Sequence, residues 1–159
     1  VSDPRNMGAT LRSACFLGAA AVVVSPKNSS KLSPAVSRAS AGALELLSAS
    51  GRLAYSRGPL PNILKSLSEE ADFDVVGTVV SGHDVVQLGG AERKGRTAIV
   101  FGSEGRGMRT MVRRACTTLV SMPPAPTAGS VNSLNVSVAS ALVMYKYLST
   151  AGASHREAS

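Results

Sequence analysis

Three stretches of the chain hold residues whose types and spacing could do chemistry. In "DPRNMGATLR" (3–12) the amide of Asn6 precedes the guanidinium of Arg12 by six residues, close to two helical turns. Asn6 reads as a helix cap, Gly8 as a tight turn at the helix start, and Arg12, between apolar Leu11 and Ala14, as a cation emerging near a buried edge. In "IVFGSEGRGM" (99–108) a strand runs into a glycine-rich turn and then a helix, an arrangement able to hold an anion or a nucleotide. Glu104 lies inside that turn, where a partly desolvated acid needs a partner. In "SLNVSVASALVMY" (133–145) Ser133, Asn135 and Ser137 alternate with Leu134, Val136 and Val138. A helix start needs one capping side chain, so the surplus points to contact with something outside the fold.

The glycine turn is not a dinucleotide fingerprint, because Thr110 stands where a third glycine belongs, and it lacks the Lys-Ser/Thr of a P-loop. Lysine and arginine outnumber acids 17 to 10, a formal charge of +7, which favours a polyanionic partner. Arg106, Arg109, Arg113 and Arg114 cluster after the turn, and nucleic acid is the partner they favour. Cys15 and Cys116 are far apart, each in an apolar helical context, and with two histidines they form no metal-ligand spacing. No apolar run is long enough to span a membrane, and the opening "VSDPRNMG" has neither the basic start of a signal peptide nor an initiator Met, which points to an internal start.

The elements that must position these residues follow from periodicity. Helices are predicted over 6–17, 34–47, 61–71, 108–115 and 133–148. Buried strands are predicted at 19–25, 74–80, 97–103 and 117–122, with further strand at 52–56 and a weak one within 81–96. Alternating elements with strands apolar on both faces imply a single α/β domain over 1–150, a parallel sheet flanked by helices, and a frayed tail over 151–159. Ligands of such sheets gather at the carboxyl ends of the strands. Three loops leave there, 78–82, 102–107 and 122–132, all rich in Gly, Ser or Pro.

Taken together, Asp-Pro-x-Asn-x-Gly with Arg-Ser-Ala, then Gly-Ser-Glu-Gly-x-Gly, then Ser-Leu-Asn-Val-Ser-Val-Ala resemble the three motifs of the SpoU/TrmH branch of the SPOUT methyltransferases, in the family's order and across about 3–148. The stretch 16–45 is similar to the mitochondrial large-subunit rRNA guanosine 2′-O-methyltransferase subgroup. The resemblance implies a deep C-terminal trefoil knot and S-adenosyl-L-methionine bound within it. It also implies a homodimer, or a heterodimer with a paralogue, whose interface completes the site, and a mitochondrial matrix location, with a bacterial or organellar equivalent as the alternative. Residue by residue, Asn6, Arg12, Glu104, Ser133 and Asn135 match the family's functional positions. The cofactor would lie along Thr78, Gly102, Gly107, Met122 and Leu134, with Leu134 and Val136 facing cofactor and core and Ser133 and Asn135 facing the reaction centre. Arg5, Arg12, Arg106 and Arg109 would meet ribosomal RNA or a large-subunit precursor. Asn6 and Glu104 would hold Arg12 in place.

One departure is the loop "MPPAPTAGSVN" (122–132), longer than the family's usual form and with three prolines. The motifs begin at the third residue, so no N-terminal RNA-binding domain is expected within these 159 residues, and three Phe, three Tyr and no Trp leave little for a stacking platform. A catalytically silent SPOUT-fold assembly factor that binds rRNA is therefore the competing expectation. A generic nucleotide-binding α/β domain is a third, which no phosphate motif supports.

Overall fold

An aspartate and a proline set the start of the first helix. The computed structural model describes residues 1–27 and 29–149; the expected tail over 151–159 lies outside them. α1 (Pro4–Phe16) begins with proline in its first turn, where the missing N–H has no helical partner to lose. Asp3, not Asn6, is its cap: the Asp3 carboxylate accepts from the N–H groups of Arg5 and Asn6 at 2.8 and 3.0 Å. Asn6 is already inside the helix, so its amide is left for other partners. Met7, Leu11 and Ala14 are buried along one stripe, as expected. Gly8 is a crossing point, not a turn. A Cβ there would sit 2.5 Å from the Ala39 Cβ and 2.7 Å from the Val36 carbonyl oxygen, so α1 and α2 (Pro34–Ser40) touch nearly backbone to backbone.

The helix expected over 34–47 is two helices. Ala41 and Gly42 take left-handed φ values of 49° and 88°, which end α2 and begin α3 (Ala43–Ala49). Buried Ser40 bridges the break: its hydroxyl donates to the Ser37 carbonyl at 2.8 Å and accepts from the Leu44 N–H at 3.2 Å. The strand expected over 19–25 is only β1 (Val22–Val24). It pairs in parallel with β2 (Leu53–Tyr55) in a separate two-stranded sheet. Val24 is buried but Val23 is 54% exposed, so this strand is covered on one face and not on both.

The second sheet is the one that carries the strand-end loops. It contains β3 (Phe73–Thr78), β4 (Val86–Gln87), β5 (Arg96–Val100) and β6 (Thr118–Ser121), in the order β4-β6-β3-β5 and parallel throughout. Side chains alternate across β3. Val75 packs with Leu64 and Val100 beneath α4 (Leu60–Glu70) and α5 (Thr110–Arg114), whereas Val76 packs with Val120, Val143 and Tyr147 beneath α6 (Val136–Ser149). The expected α/β class with parallel strands between helices is therefore observed, in two sheets instead of one. β6 lies between β3 and β4, so the 79–85 connection passes across it, pinned by the Val79 N–H on the Val120 carbonyl at 2.9 Å.

No helix among the described residues is long and apolar enough to cross a membrane. The Gly8 contact yields a prediction. Gly8→Ala gains about 1 kcal/mol of helix propensity, yet overpacking a helix crossing costs about 1–3 kcal/mol. A lower urea midpoint than wild type is expected; an equal or higher one would show that the crossing has room.

Candidate active site

The glycine-rich turn is built by closure between its own ends. The Ser103 N–H donates to the Gly107 carbonyl at 3.1 Å and the Gly107 N–H to the Ser103 carbonyl at 2.8 Å. Gly105 and Gly107 hold φ at 72° and 63°, values that side-chain-bearing residues adopt with strain. Gly102 has no room for a Cβ, which would lie 2.4 Å from the Gly107 carbonyl carbon. These glycines are thus accounted for by the turn itself.

The turn presents Glu104 towards the start of the chain. One carboxylate oxygen, Oε2, accepts from the Ser2 N–H at 2.7 Å and the Ser2 hydroxyl at 2.6 Å. The other, Oε1, accepts from Asn6 Nδ2 at 3.1 Å and, more weakly, from the Asp3 N–H at 3.4 Å. Burial pushes this carboxyl upward, but hydrogen bonds from the Ser2 hydroxyl and N–H, from its own backbone and from Asn6 outweigh it and hold the pKa at about 2. The acid therefore has the partners a desolvated carboxylate requires.

An ionised carboxylate can only accept, so Asn6 must offer its NH2 to Glu104 and keep its carbonyl oxygen for another donor. That donor is Asn135, whose Nδ2 lies 3.1 Å from Asn6 Oδ1. Asn135 in turn turns its oxygen to the start of α6, accepting from the Ser137 N–H at 2.8 Å and the Ser137 hydroxyl at 2.7 Å. One hydrogen-bonded chain, Ser2–Glu104–Asn6–Asn135–Ser137, thereby joins segments 98 and 129 positions apart. α6 starts at Val136 and not at 133, with Asn135 serving as cap and as link.

Other expected site residues are placed differently. Arg12 is exposed and makes no hydrogen bond to Asn6 or Glu104 among the described residues. Six residues along a helix is about 120° of rotation away from Asn6, which is why the expected support of Arg12 by Asn6 and Glu104 does not form within the chain. Arg5 lies seven residues before Arg12, on the same face of α1, and is exposed too. Ser133 is exposed and donates to Asn132 Oδ1 at 3.3 Å, outside the joined chain. Leu134 is 50% exposed and Val136 half-buried, so Leu134 faces outward and not into the core. Met122 packs against the cluster of Val76, Val120, Val143 and Tyr147, and the Thr78 hydroxyl donates to the Val100 carbonyl at 3.2 Å. Arg106 and Arg109 are exposed on the turn and at the start of α5. Ser2 was not singled out in the sequence, since nothing in a serine before Asp-Pro marks it as a carboxylate ligand. Among the described residues no group of acids, Cys and His is arranged to hold a metal.

Residues 1–145 match the model of the SpoU rRNA Methylase family. The chain belongs to this family. It is 39% identical over 153 residues to the 23S rRNA (guanosine-2′-O-)-methyltransferase RlmB of Pseudomonas syringae, covering 93% of this chain and 55% of that protein. It is 37% identical over 147 residues to the RlmB of Escherichia coli K12, covering 92% and 56%. The chain thus spans about half the length of the curated relatives it matches. Among solved structures it resembles the SpoU methyltransferase AviRb of Streptomyces viridochromogenes in complex with AdoMet, with a TM-score of 0.75 at 27% identity, covering 94% of this chain and 54% of that one. Both curated relatives are bacterial, so they point to the bacterial alternative and lend no support to a mitochondrial location.

The Glu104 carboxylate links folding to pH. Its pKa is lowered from 4.5 to about 2, so its contribution to stability is complete above 4.5 and is lost as pH falls towards 2. Glu104→Gln is expected to lower the urea midpoint at pH 7, with the gap to wild type narrowing as pH drops from 5 to 3. A gap that stays constant with pH would contradict the assignment.

Proposed function

We propose that the chain transfers the methyl group of S-adenosyl-L-methionine to a ribose 2′-hydroxyl of large-subunit ribosomal RNA, on a guanosine, in a bacterial cell or an organelle of that type. The observation that carries the reading is the hydrogen-bonded chain from Glu104 through Asn6 to Asn135, which gathers all three motifs at the carboxyl ends of β3, β5 and β6. The relatives' names supply the reaction, and their rRNA substrate agrees with the chain's charge of +7.

The strand-end loops fit such a methyl donor. Half-exposed Leu134 and exposed Val131 offer apolar surface on a loop whose prolines, Pro123, Pro124 and Pro126, face solvent. Thr78, Gly102, Gly107, Met122 and Leu134 would line the donor. When bound, S-adenosylmethionine supplies an electrophilic methyl group for in-line attack. The protein's part is alignment and exclusion of water. A guanidinium stays protonated in water, with a pKa above about 12. Arg12 therefore serves best as a clamp on RNA phosphate that stabilises the developing alkoxide as the hydroxyl loses its proton. Arg5, Arg106 and Arg109 add phosphate contacts, and Ser133 with Asn135 orients the ribose.

The reading includes a dimer and a trefoil knot. Val138, Leu142 and Tyr145 run down one side of α6 and are 45–62% exposed, an apolar stripe that suits a second copy of the chain or a paralogue. Phe16, 88% exposed, lies one turn beyond Arg12 on α1, so the same association would bring Arg12 to a site it does not reach within its own chain. The insertion of β6 between β3 and β4 supports threading of the C-terminal segment. The domain would comprise 1–150.

Three measurements test this. Arg12→Ala is expected to abolish methylation of an rRNA transcript while S-adenosylmethionine binding, followed by calorimetry, persists; near-normal turnover would refute the role of Arg12. Wild-type protein that binds no S-adenosylmethionine even at millimolar concentration would instead favour a catalytically silent rRNA-binding assembly factor. Leu142→Glu is expected to shift the mass in sedimentation from dimer to monomer, and an unchanged mass would remove the stripe from the interface.

A further inference from the structure

The sheet has a second basic feature, at the end away from the glycine turn. A cavity of about 610 Å³ is lined by Ala91, Glu92, Arg93, Arg96, Lys146 and Tyr147. Arg96 opens β5 and Lys146 and Tyr147 lie in the last turns of α6, so the cavity sits by the amino ends of the strands. α6 alone separates it from Asn135 by about 17 Å, at about 1.5 Å per residue.

Each cation at this cavity is held by a main-chain carbonyl. Arg93 Nε donates to the Gly95 oxygen at 3.1 Å, Arg96 to the Ala71 oxygen at 3.1 Å, and Lys146 Nζ to the Gly89 oxygen at 3.1 Å. The Arg96 guanidinium also stacks 4.4 Å above the Phe73 ring. One bond to a neutral carbonyl fixes a guanidinium but leaves its charge uncompensated and most of its five donors available. Arg93 and Arg96 form no ion pair among the described residues. Tyr147 is 2% exposed, and its hydroxyl has no hydrogen-bond partner among the described residues. Burial, with Asp74 nearby, raises the phenol's pKa and keeps it a proton donor. Among the described residues the cavity lining has one carboxylate, exposed Glu92; Asp74, which acts on Tyr147, has one oxygen taken by the hydroxyls of Thr117 and Thr118 at 2.6 and 2.8 Å.

We propose that this cavity binds backbone phosphates of the RNA substrate, through Arg93 and Arg96, at a distance from the methylated ribose. The proposal rests on the RNA-methylating function argued above. With about 3.4 Å of rise per nucleotide along a stacked strand, RNA crossing the length of α6 would reach it about five nucleotides from the reaction centre. Such contacts position the substrate without reading its sequence.

The test is binding of fluorescent poly(U) by anisotropy over a salt series, with methylation of an rRNA transcript measured alongside. Arg93→Gln/Arg96→Gln is compared with Arg57→Gln/Lys65→Gln, which removes the same charge from exposed positions elsewhere. The cavity variant is expected to bind about tenfold more weakly and to lose about 1.4 from the log–log salt slope, at about 0.7 per single-strand phosphate contact. It should also show a raised KM for RNA at unchanged S-adenosylmethionine affinity, which reports an intact fold. Equal losses in both double variants would reduce the effect to net charge and overturn the site, as would an unchanged slope. A wild type that binds the cofactor but neither binds nor methylates RNA would overturn the underlying functional reading instead.

Discussion

The candidate site depends on one carboxylate remaining ionised. Because Glu104 can only accept, it dictates which end of the Asn6 amide faces it. That choice dictates the orientation of Asn135, and Asn135 in turn caps α6. Polarity is thus passed from a tight turn, through an interior helical position, to the start of the last helix. Neither amide could be replaced by its acid without setting two acceptors against each other. A short loop would not hold such an arrangement unaided; the parallel strands deliver the turn and the helix start to one end of the sheet, and α1 packs against α6.

The same constraint explains a division of labour among the polar residues of the motifs. Asn6, Glu104 and Asn135 spend their hydrogen bonds on each other, whereas among the described residues Ser133 makes one such bond, to its neighbour Asn132, and Arg12 makes none to Asn6 or Glu104. The first group shapes the site. The second is left facing outward, available to a substrate or to another subunit. Gly102, Gly105 and Gly107 belong to the shaping group as well, since the turn needs their lack of side chains before any ligand is considered.

Much of this was legible in the residues. The buried strand around Val75 and Val76, the turn at 102–107 and the need of Glu104 for a partner all followed from apolar runs and from the cost of burying a charge. The identity of that partner did not: Asn6 lies 98 positions away, and Ser2 carries no mark of its use. Asn6 and Asp3 are equally good caps by residue type, and reading the helix start at Asn6, not at Asp3 before the first-turn proline, hid the free amide. The break at Ala41–Gly42 was missed because helix propensity reads through a single glycine, while the buried hydroxyl of Ser40, which stabilises the break, is visible only in three dimensions. The exposure of Val23 and Leu134 likewise depends on which neighbours cover a face.

The position of β6 has a consequence for how the molecule is made. This strand is the last of the sheet to leave the ribosome, yet it occupies an interior place, with β3 on one side and β4 on the other. Until it arrives, β3 and β4 each present an unsatisfied edge, and the sheet can close only by admitting a latecomer between elements already synthesised. Pairings of that kind carry a high cost in loop closure and form slowly. Assembly of the domain is therefore paced by its C-terminal third, and a nascent chain stalled before residue 118 holds a slot where its central partner belongs.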